Sequence, residues 1–204
     1  MIWPAQTTEH FVVMGRGEAE EVCRELFDPQ IGTRVRYADP AAWASATAIA
    51  RAFATARESV DAAGDAIGVL VNTDRGPAQT MAHLAKEARE GFSSPLRYPA
   101  SNPGSLAGVP CIAFGLRGPT LVLTMPAIQG TPVGLIIAGQ WLSRGIVPLV
   151  ALTVHASRPP NRNLARCLIL AYRAEGVSPP GDDASLAADL AWLSTVDDVL
   201  NVRE

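Results

Sequence analysis

The hydrophobic pattern alternates along the chain between short continuous apolar runs and apolar residues at helical spacing. Residues 66–71 and 148–154 are continuous apolar runs, typical of strands that are buried on both faces of a parallel sheet. Residues 120–124 predict another short strand, and residues 164–172 predict a strand that pairs antiparallel at a sheet edge. Because helical patterns separate these strands, the sequence predicts a layered α/β domain.

Helix start signals place helices between the strands. Asp39 followed by Pro40 predicts the N-cap and first residue of an amphipathic helix that ends near Gly64. Thr131, followed by proline, predicts another start, and Asp182 and Asp183 are expected to cap a terminal helix after a linker over 178–183. Helices are also predicted over 17–26, 78–90, 105–114, 131–144 and 184–200, and an edge strand over 33–37. Residues 1–180 are expected to form one domain, with residues 181–204 as a helical tail packed on it.

The surface is predicted to be poor in charge. The 204 residues are 48% hydrophobic and only 18% charged, with a net charge of −3, whereas a typical soluble domain carries about 25% charged residues. This composition indicates that another subunit covers part of the surface. The alternative is that abundant alanine dilutes the charge without any interface.

Several classes of protein are disfavoured by composition. The cysteines Cys23, Cys111 and Cys167 are too scattered for a disulfide framework, and no spacing indicates a metal site or a cofactor. The N-terminus lacks the pattern of a secretion signal, and the apolar stretch 133–142 is too short to span a bilayer. Dispersed arginines and an acidic balance do not support nucleic-acid binding. A cytoplasmic protein is therefore expected.

Three ordered motifs carry a family resemblance. They are Ile67–Thr73 with Gly76; Ser94-Pro95, Tyr98-Pro99 and Ala107-Gly108; and the turn Ala113–Pro119, which reads AFGLRGP. Together they resemble the "IGVVVGTGxGG", "SPxxFPxxxxNxxAG" and "AxxFGLRGP" segments of the β-ketoacyl synthases of the thiolase superfamily. The resemblance covers about residues 45–175 and implies the N-terminal half of a thiolase-like fold. Such a half has α-β-α layers and a mixed five-stranded sheet.

The resemblance also implies where a nucleophile should stand. In the family a cysteine lies in a sharp turn at a helix N-terminus, where the helix dipole favours the thiolate, and two histidines come from a second half. The family's "TACASGT" falls on residues 125–131, where Gly130 and Thr131 match but Ala127 occupies the cysteine position. A methyl group cannot form a thioester. The chain ends where the second half should begin, so a pseudo-ketosynthase without condensation activity is expected.

Other residues have both functional and structural interpretations. Gln129 would replace the nucleophile only if the alignment slipped by two residues, and otherwise it is an amide in a turn. Cys111 is expected to be a buried structural thiol, and His155 a hydrogen-bonded histidine at a strand end. His10 and His83 are expected on the surface.

The turn before the predicted third strand is expected to be structural. It consists of Gly115, Leu116, Arg117, Gly118 and Pro119. Its glycines permit the tight turn, and the Arg117 guanidinium can bind loop carbonyls or a partner's carboxylate.

The resemblance implies partners. In the family the strand after this turn pairs with its copy across a two-fold axis; here it is Thr120, Leu121, Val122, Leu123 and Thr124. Because an uncovered apolar strand edge promotes aggregation, an obligate partner is expected, either a second copy or an intact ketosynthase. The leading interpretation is a non-catalytic subunit of a polyketide or fatty-acid pathway. Two alternatives remain: a repurposed acyl-thioester enzyme that uses Cys111 or His155, and a module that binds acyl chains or acyl carrier protein.

Overall fold

The computed structural model, which describes residues 11–158, 162–173 and 183–202, has a mixed five-stranded sheet with helices on both faces. Its strands are β1 (Phe11–Ala19), β2 (Ile67–Thr73), β3 (Thr120–Thr124), β4 (Leu149–Arg158) and β5 (Arg162–Tyr172). The α-helices of the described ranges are α1 (Pro29–Arg34), α2 (Pro40–Thr55), α3 (Arg57–Ala63), α4 (Ala78–Arg89), α5 (Ser105–Phe114), α6 (Ala127–Ser143), α7 (Asp183–Ser194) and α8 (Val196–Val202). Short 3-10 helices occupy Arg24–Leu26 and Tyr98–Ser101.

The strands lie in the order β1-β5-β4-β2-β3. Strand β2 is parallel to both β3 and β4, whereas β5 is antiparallel to both β4 and β1. Every residue of β2 is buried, in agreement with its continuously apolar sequence. The predicted α/β class and mixed five-stranded sheet are therefore confirmed.

Helix α2 covers one face of the sheet and begins as the sequence predicts. The Asp39 carboxylate accepts hydrogen bonds from the backbone N–H groups of Ala41 (2.8 Å) and Thr80 (2.7 Å), and Pro40 is the first helical residue. Six of the eight alanines in α2 are buried, and the helix packs on β1, β5 and α5. A Cβ added to Gly17 of β1 would collide with the carbonyl oxygen of Ala48. Abundant alanine and glycine therefore bring this helix unusually close to the sheet.

Helices α6, α7 and α8 cover the opposite face. Leu190 and Leu193 of α7 are fully buried, and so is Val196 of α8. The Arg166 guanidinium, on β5, binds the Glu18 carboxylate at 2.6 Å and lies over the Trp192 ring at 4.9 Å from its centroid. Residues of α7 and α8 therefore form part of the second apolar core, on this face of the sheet. The boundary expected near residue 181 and the predicted linker lie mostly outside the described residues.

Two predictions for the first forty residues are wrong. The expected helix over 17–26 is replaced by the end of β1 and the short 3-10 helix Arg24–Leu26. Pairing with β5 places residues up to Ala19 in the sheet. The expected strand over 33–37 is instead the end of α1 and the segment after it. Asp28 caps this helix by accepting a hydrogen bond from the backbone N–H of Gln30 at 2.7 Å, a start signal that the sequence analysis missed.

Other predicted boundaries shift for tertiary reasons. Helix α6 begins at Ala127 and includes Pro132, so the Thr-Pro pair lies inside the helix instead of starting it. The predicted long helices over 40–64 and 184–200 are each divided into two, near Ala56 and Thr195. Strand β5 is antiparallel as expected, but it is not an edge strand, because β1 pairs with its outer side. The other predicted helices and strands are found within a few residues of their expected bounds.

The turn between α5 and β3 is fixed by two glycines. Gly115 ends α5 with φ of +67°, a conformation that favours glycine. A Cβ on Gly118 would collide with the backbone carbonyl of Ile67 in β2. Arg117 lies on the surface, with its Nε 3.4 Å from an Asp65 carboxylate oxygen. The turn therefore allows β3 to approach β2 closely.

We predict that Gly118→Ala destabilises the protein by about 1–3 kcal/mol, because the added methyl group meets backbone atoms that cannot move independently. Gly108→Ala is the matched control, since a Cβ at this position inside α5 meets no atom within 4 Å. The control should stabilise the fold by about 0.5–1 kcal/mol through the better helix propensity of alanine. Denaturant titration measures both changes. Equal stability of the two variants would contradict the proposed packing of the turn.

Candidate functional site

Three strand ends meet the start of a long helix at one edge of the sheet. Strands β2, β3 and β4 are parallel, so their carboxyl ends lie side by side. The chain leaves β3 at Thr124 and enters the 17-residue helix α6 at Ala127. Ala127 thus stands at a strand-to-helix bend, and its side chain is buried. This bend is where the resemblance implies a nucleophile.

A carboxylate from the C-terminal helix occupies the start of α6. The backbone N–H of Ala127 donates a hydrogen bond to Oδ2 of Asp197 at 3.2 Å. The other carboxylate oxygen of Asp197 accepts a hydrogen bond at 3.2 Å from Nη2 of Arg158, on β4. The Arg158 Nη1 atom donates to Asp74, after β2, at 2.6 Å. Because the N-terminus of a helix carries partial positive charge, this is a favourable place for a carboxylate.

His155 lies in a separate hydrogen-bonded group on the α2 side of the same edge. Its Nδ1 is 3.1 Å from the hydroxyl of Thr73, and its Nε2 is 3.0 Å from Oδ1 of Asn163. Since a carbonyl oxygen only accepts, Nε2 carries the hydrogen and Nδ1 accepts from the hydroxyl. Burial lowers the pKa of His155, although the hydrogen bond to Asn163 and nearby carboxylates oppose this shift. The imidazole is therefore neutral at neutral pH, and both of its ring nitrogens have hydrogen-bond partners.

Cys111, the cysteine considered as a candidate nucleophile, belongs to neither of these hydrogen-bonded groups. Cys111 is half-buried in α5, and burial raises the pKa of its thiol to about 11. A thiol with this pKa remains protonated at neutral pH. Both ring nitrogens of His155 already have other partners. The structure therefore does not join Cys111 and His155 into a nucleophile–base pair.

Residues beside Ala127 have structural contacts. The Thr131 hydroxyl donates to the carbonyl of Ala127 at 2.8 Å, and Gln129 is exposed in the first turn of α6. Gly130 lies against the side chain of Asn72, where any Cβ would collide with the amide. Asn72 is fully buried, and its side-chain amide has no hydrogen-bond partner among the described residues. His83 is exposed beside Glu87, and His10 lies outside the described residues.

The strand named as an interface is an edge of the sheet. Strand β3 pairs only with β2 within the described residues, and all five of its residues are exposed or half-buried. Helix α6, which packs on β2 and β3, also carries exposed isoleucine and valine side chains, namely Ile128, Val133 and Ile136. The strand edge and these apolar side chains are available to a partner.

An open cavity of about 510 Å³ lies beside α5. Ser105, Gly108 and Ile112 of α5 form one wall, and Leu96 and Pro99 belong to the segment that faces them. Leu96 and Ile112 are exposed apolar residues. The α5 wall of the cavity lies near strand β3, because helix α5 packs on β2 and β3.

Arginines surround the opposite rim of this cavity. Arg34 and Arg36 line the cavity, and the guanidinium groups of Arg36 and Arg97 lie 5.2 Å and 5.5 Å from the centroid of the Tyr37 ring. None of the three arginines forms an ion pair with another described residue. The rim is therefore an uncompensated positive surface next to an apolar wall.

No metal centre is found within the described ranges, where no three metal-ligating side chains lie close together. Over the same residues, no helix is both long enough and apolar enough to cross a bilayer. Sequence reasoning did not identify Asp74, Arg158 or Asp197 as site residues. No local signal could have found them, because the side chains that meet are far apart along the chain.

Comparison with protein-family models gives no match, and comparison with curated sequences gives none either. Solved structures do match. One chain of the ketosynthase ApeO in complex with its chain length factor ApeC, from Xenorhabdus doucetiae, superposes with a TM-score of 0.61 at 13% identity. The match covers 91% of this chain and 92% of that one, so the two are of similar length.

Two longer chains match as well. A β-ketoacyl synthase from Burkholderia phymatum STM815 gives a TM-score of 0.60 at 12% identity, over 92% of this chain and 70% of that one. A chain from AntDE:AntF, a type II polyketide synthase acyl-carrier protein in complex with its ketosynthase, gives 0.59 at 16% identity. That match covers 80% of this chain but only 63% of the other. The fold expected from the sequence motifs is thereby confirmed: this chain has the fold of the matched ketosynthase structures.

Proposed function

We propose that this chain is a non-catalytic, ketosynthase-like subunit of a polyketide or fatty-acid pathway, and that it pairs with an intact ketosynthase. The observation that carries this proposal is the start of α6, where Ala127 lies at the bend at which the resemblance implies a nucleophile, and its backbone N–H is bonded to Asp197. The similarity to a chain from a complex of a ketosynthase with its chain length factor supports the pairing.

The chemistry at this position opposes acyl transfer for two reasons. A methyl side chain offers no atom that can attack a thioester carbonyl. Tetrahedral intermediates of acyl transfer are oxyanions, and free backbone N–H groups stabilise them. Here the N–H of Ala127 bonds to a carboxylate, whose negative charge would repel such an oxyanion.

The edge of β3 is the surface that we propose for pairing. Backbone groups of Pro119 and Met125 bond to β2, and backbone groups alternate in direction along a strand. The N–H of Val122 therefore points away from β2, toward the open edge. A partner strand can accept this hydrogen bond, and the exposed side chains of α6 can pack beside it. The described α7 and α8 already cover the second face of the sheet, so the edge is the better docking surface.

The α5 wall of the cavity gives the subunit a route to control a partner's product. A partner along β3 would also lie next to Gly108 and Ile112, which border open space. We propose that these residues form part of the wall of the partner's acyl tunnel, as in a chain length factor. The volume at these two positions would then limit the length of the acyl chain.

A second candidate function is the binding of a carrier protein, favoured by the arginine rim. The phosphopantetheine arm of a carrier protein joins an anionic phosphate to an acyl chain, and the rim joins positive charge to an apolar wall. Charge-assisted hydrogen bonds from arginine to phosphate or carboxylate are strong and directional. The two functions are compatible, since they use different walls of the cavity.

Pairing predicts that Val122→Pro weakens association with the partner ketosynthase by about tenfold or more, because proline removes the outward N–H. Val122→Ala is the matched control, since it shortens the side chain but keeps the N–H, and it should bind nearly as well as the wild type. Co-purification with the ketosynthase encoded nearest to this chain, followed by titration, measures the effect. Condensation by the purified chain alone, with acyl and malonyl carrier-protein thioesters, would contradict the non-catalytic assignment.

Control of chain length predicts that Gly108→Leu, in the assembled complex, shifts the products to shorter chains, because the added side chain enters the cavity. Ile112→Ala should shift them to longer chains. Gly32→Leu is a suitable control, since Gly32 also borders open space in a helix but does not line the cavity. Mass spectrometry of the released products gives the distribution. Unchanged products from both cavity variants would remove the α5 wall from the acyl tunnel.

Carrier-protein binding predicts that replacing Arg36 and Arg97 together by glutamine weakens the complex about tenfold, as the loss of a charge-assisted contact implies. Arg57→Gln is the control, because Arg57 is exposed and pairs with Asp61 at 3.8 Å on a different helix. Native mass spectrometry and calorimetry with acyl carrier protein report the affinities. Equal weakening by the control would show a general charge effect instead of a specific site.

A further inference from the structure

We propose that Asp197 is a built-in ligand of the N-terminus of α6, and that α8 thereby closes the position where a thioester carbonyl would bind. The inference rests on the proposed function in one respect only, which is that the excluded group is a thioester carbonyl. It adds that this subunit is inert for two independent reasons: it lacks a nucleophile, and its own C-terminal segment occupies the site.

Each polar atom of the Asp197 carboxylate has a partner at this site. Oδ2 accepts the N–H of Ala127, and Oδ1 accepts from Arg158. Arg158 is itself held by Asp74, whose other oxygen accepts the backbone N–H of Ser157 at 3.3 Å. The guanidinium is therefore fixed between two carboxylates from different elements. These hydrogen bonds hold the Asp197 carboxylate in one orientation.

Helix α8 brings the carboxylate to this position through contacts of its own. Val196 and Leu200 are buried in the second core, and Arg162 donates to the carbonyl of Leu200 at 3.3 Å. Asp197 and Asp198 are neighbours in the first turn, but only Asp197 is directed to α6, while Asp198 is exposed. Asp198 therefore provides a control for Asp197, because it is a carboxylate in the same turn that does not contact α6.

The contact has a chemical consequence that can be measured. A thiol at a helix N-terminus normally ionises easily, because the helix dipole and free N–H groups stabilise the thiolate. A carboxylate beside it has the opposite effect, since like charges repel and the N–H is already engaged. A cysteine placed at the buried position 127 should therefore react more slowly while the Asp197 carboxylate is present than when it is removed.

The experiment introduces Ala127→Cys alone and in combination with Asp197→Ala, Asp197→Asn or Asp198→Ala. The rate of alkylation by iodoacetamide at pH 7 is followed by mass spectrometry of the peptide that contains position 127. Burial raises the pKa of Cys111 to about 11 and of Cys167 to about 12, so these native thiols react slowly. Circular dichroism checks that each variant is folded.

We expect Asp197→Ala to raise the alkylation rate about tenfold or more, which corresponds to a fall of about one unit in the thiol pKa. Asp198→Ala should leave the rate unchanged. Asp197→Asn keeps the volume of the side chain and removes its charge, so it serves if the alanine variant fails to fold, and it should also raise the rate. Equal rates with and without the Asp197 carboxylate would overturn the inference.

The outcome is independent of the proposed function. Alkylation needs neither a partner ketosynthase nor a carrier protein, so a negative result would leave the pairing proposal intact. Conversely, condensation by the natural chain would refute the non-catalytic assignment, whatever the alkylation rates are.

Discussion

Strands β2 and β4 are buried on both faces, and this constraint requires a helical layer on each side of the sheet. Helices α2 and α5 form one layer, and α6 with α7 and α8 forms the other. In this protein the described C-terminal helices themselves supply much of the second layer. The sheet therefore needs these helices to bury its second face, and their packing also places Asp197 beside the start of α6.

The same packing gives the candidate site its character. Because α8 must bury Val196 and Leu200, its first turn comes to the start of α6, where Asp197 meets the N–H of Ala127. Arg158 forms ion pairs with both carboxylates around it, those of Asp74 and Asp197. The chemistry of the site therefore follows from the way the fold completes its core. A position that would favour an ionised nucleophile instead holds a fixed carboxylate.

The surfaces left uncovered agree with a subunit that acts through a partner. The edge of β3 has no partner strand among the described residues, several side chains of α6 are exposed, and the cavity beside α5 is lined by residues outside α7 and α8. An exposed strand edge promotes aggregation unless it is covered. The arginine rim adds positive charge on a chain whose net charge is −3, so an anionic ligand or partner would complement it.

Local sequence determined the elements whose signals are short-range. The apolar run of β2, the Asp39–Pro40 start of α2 and the glycines of the turn before β3 all act within a few residues, and each is found as predicted. The motifs around these elements were also sufficient to indicate the ketosynthase-like fold.

Tertiary structure decided the rest, because the forces involved act between distant parts of the chain. Pairing with β5 extended β1 into a segment that was predicted as a helix, and packing kept Pro132 inside α6. The contact between Ala127 and Asp197 joins residues 70 positions apart, and that between Arg158 and Asp197 joins residues 39 apart. No spacing rule links such residues. Sequence alone predicted an alanine where the resemblance implies a nucleophile, whereas only the folded core showed that a carboxylate lies beside this alanine.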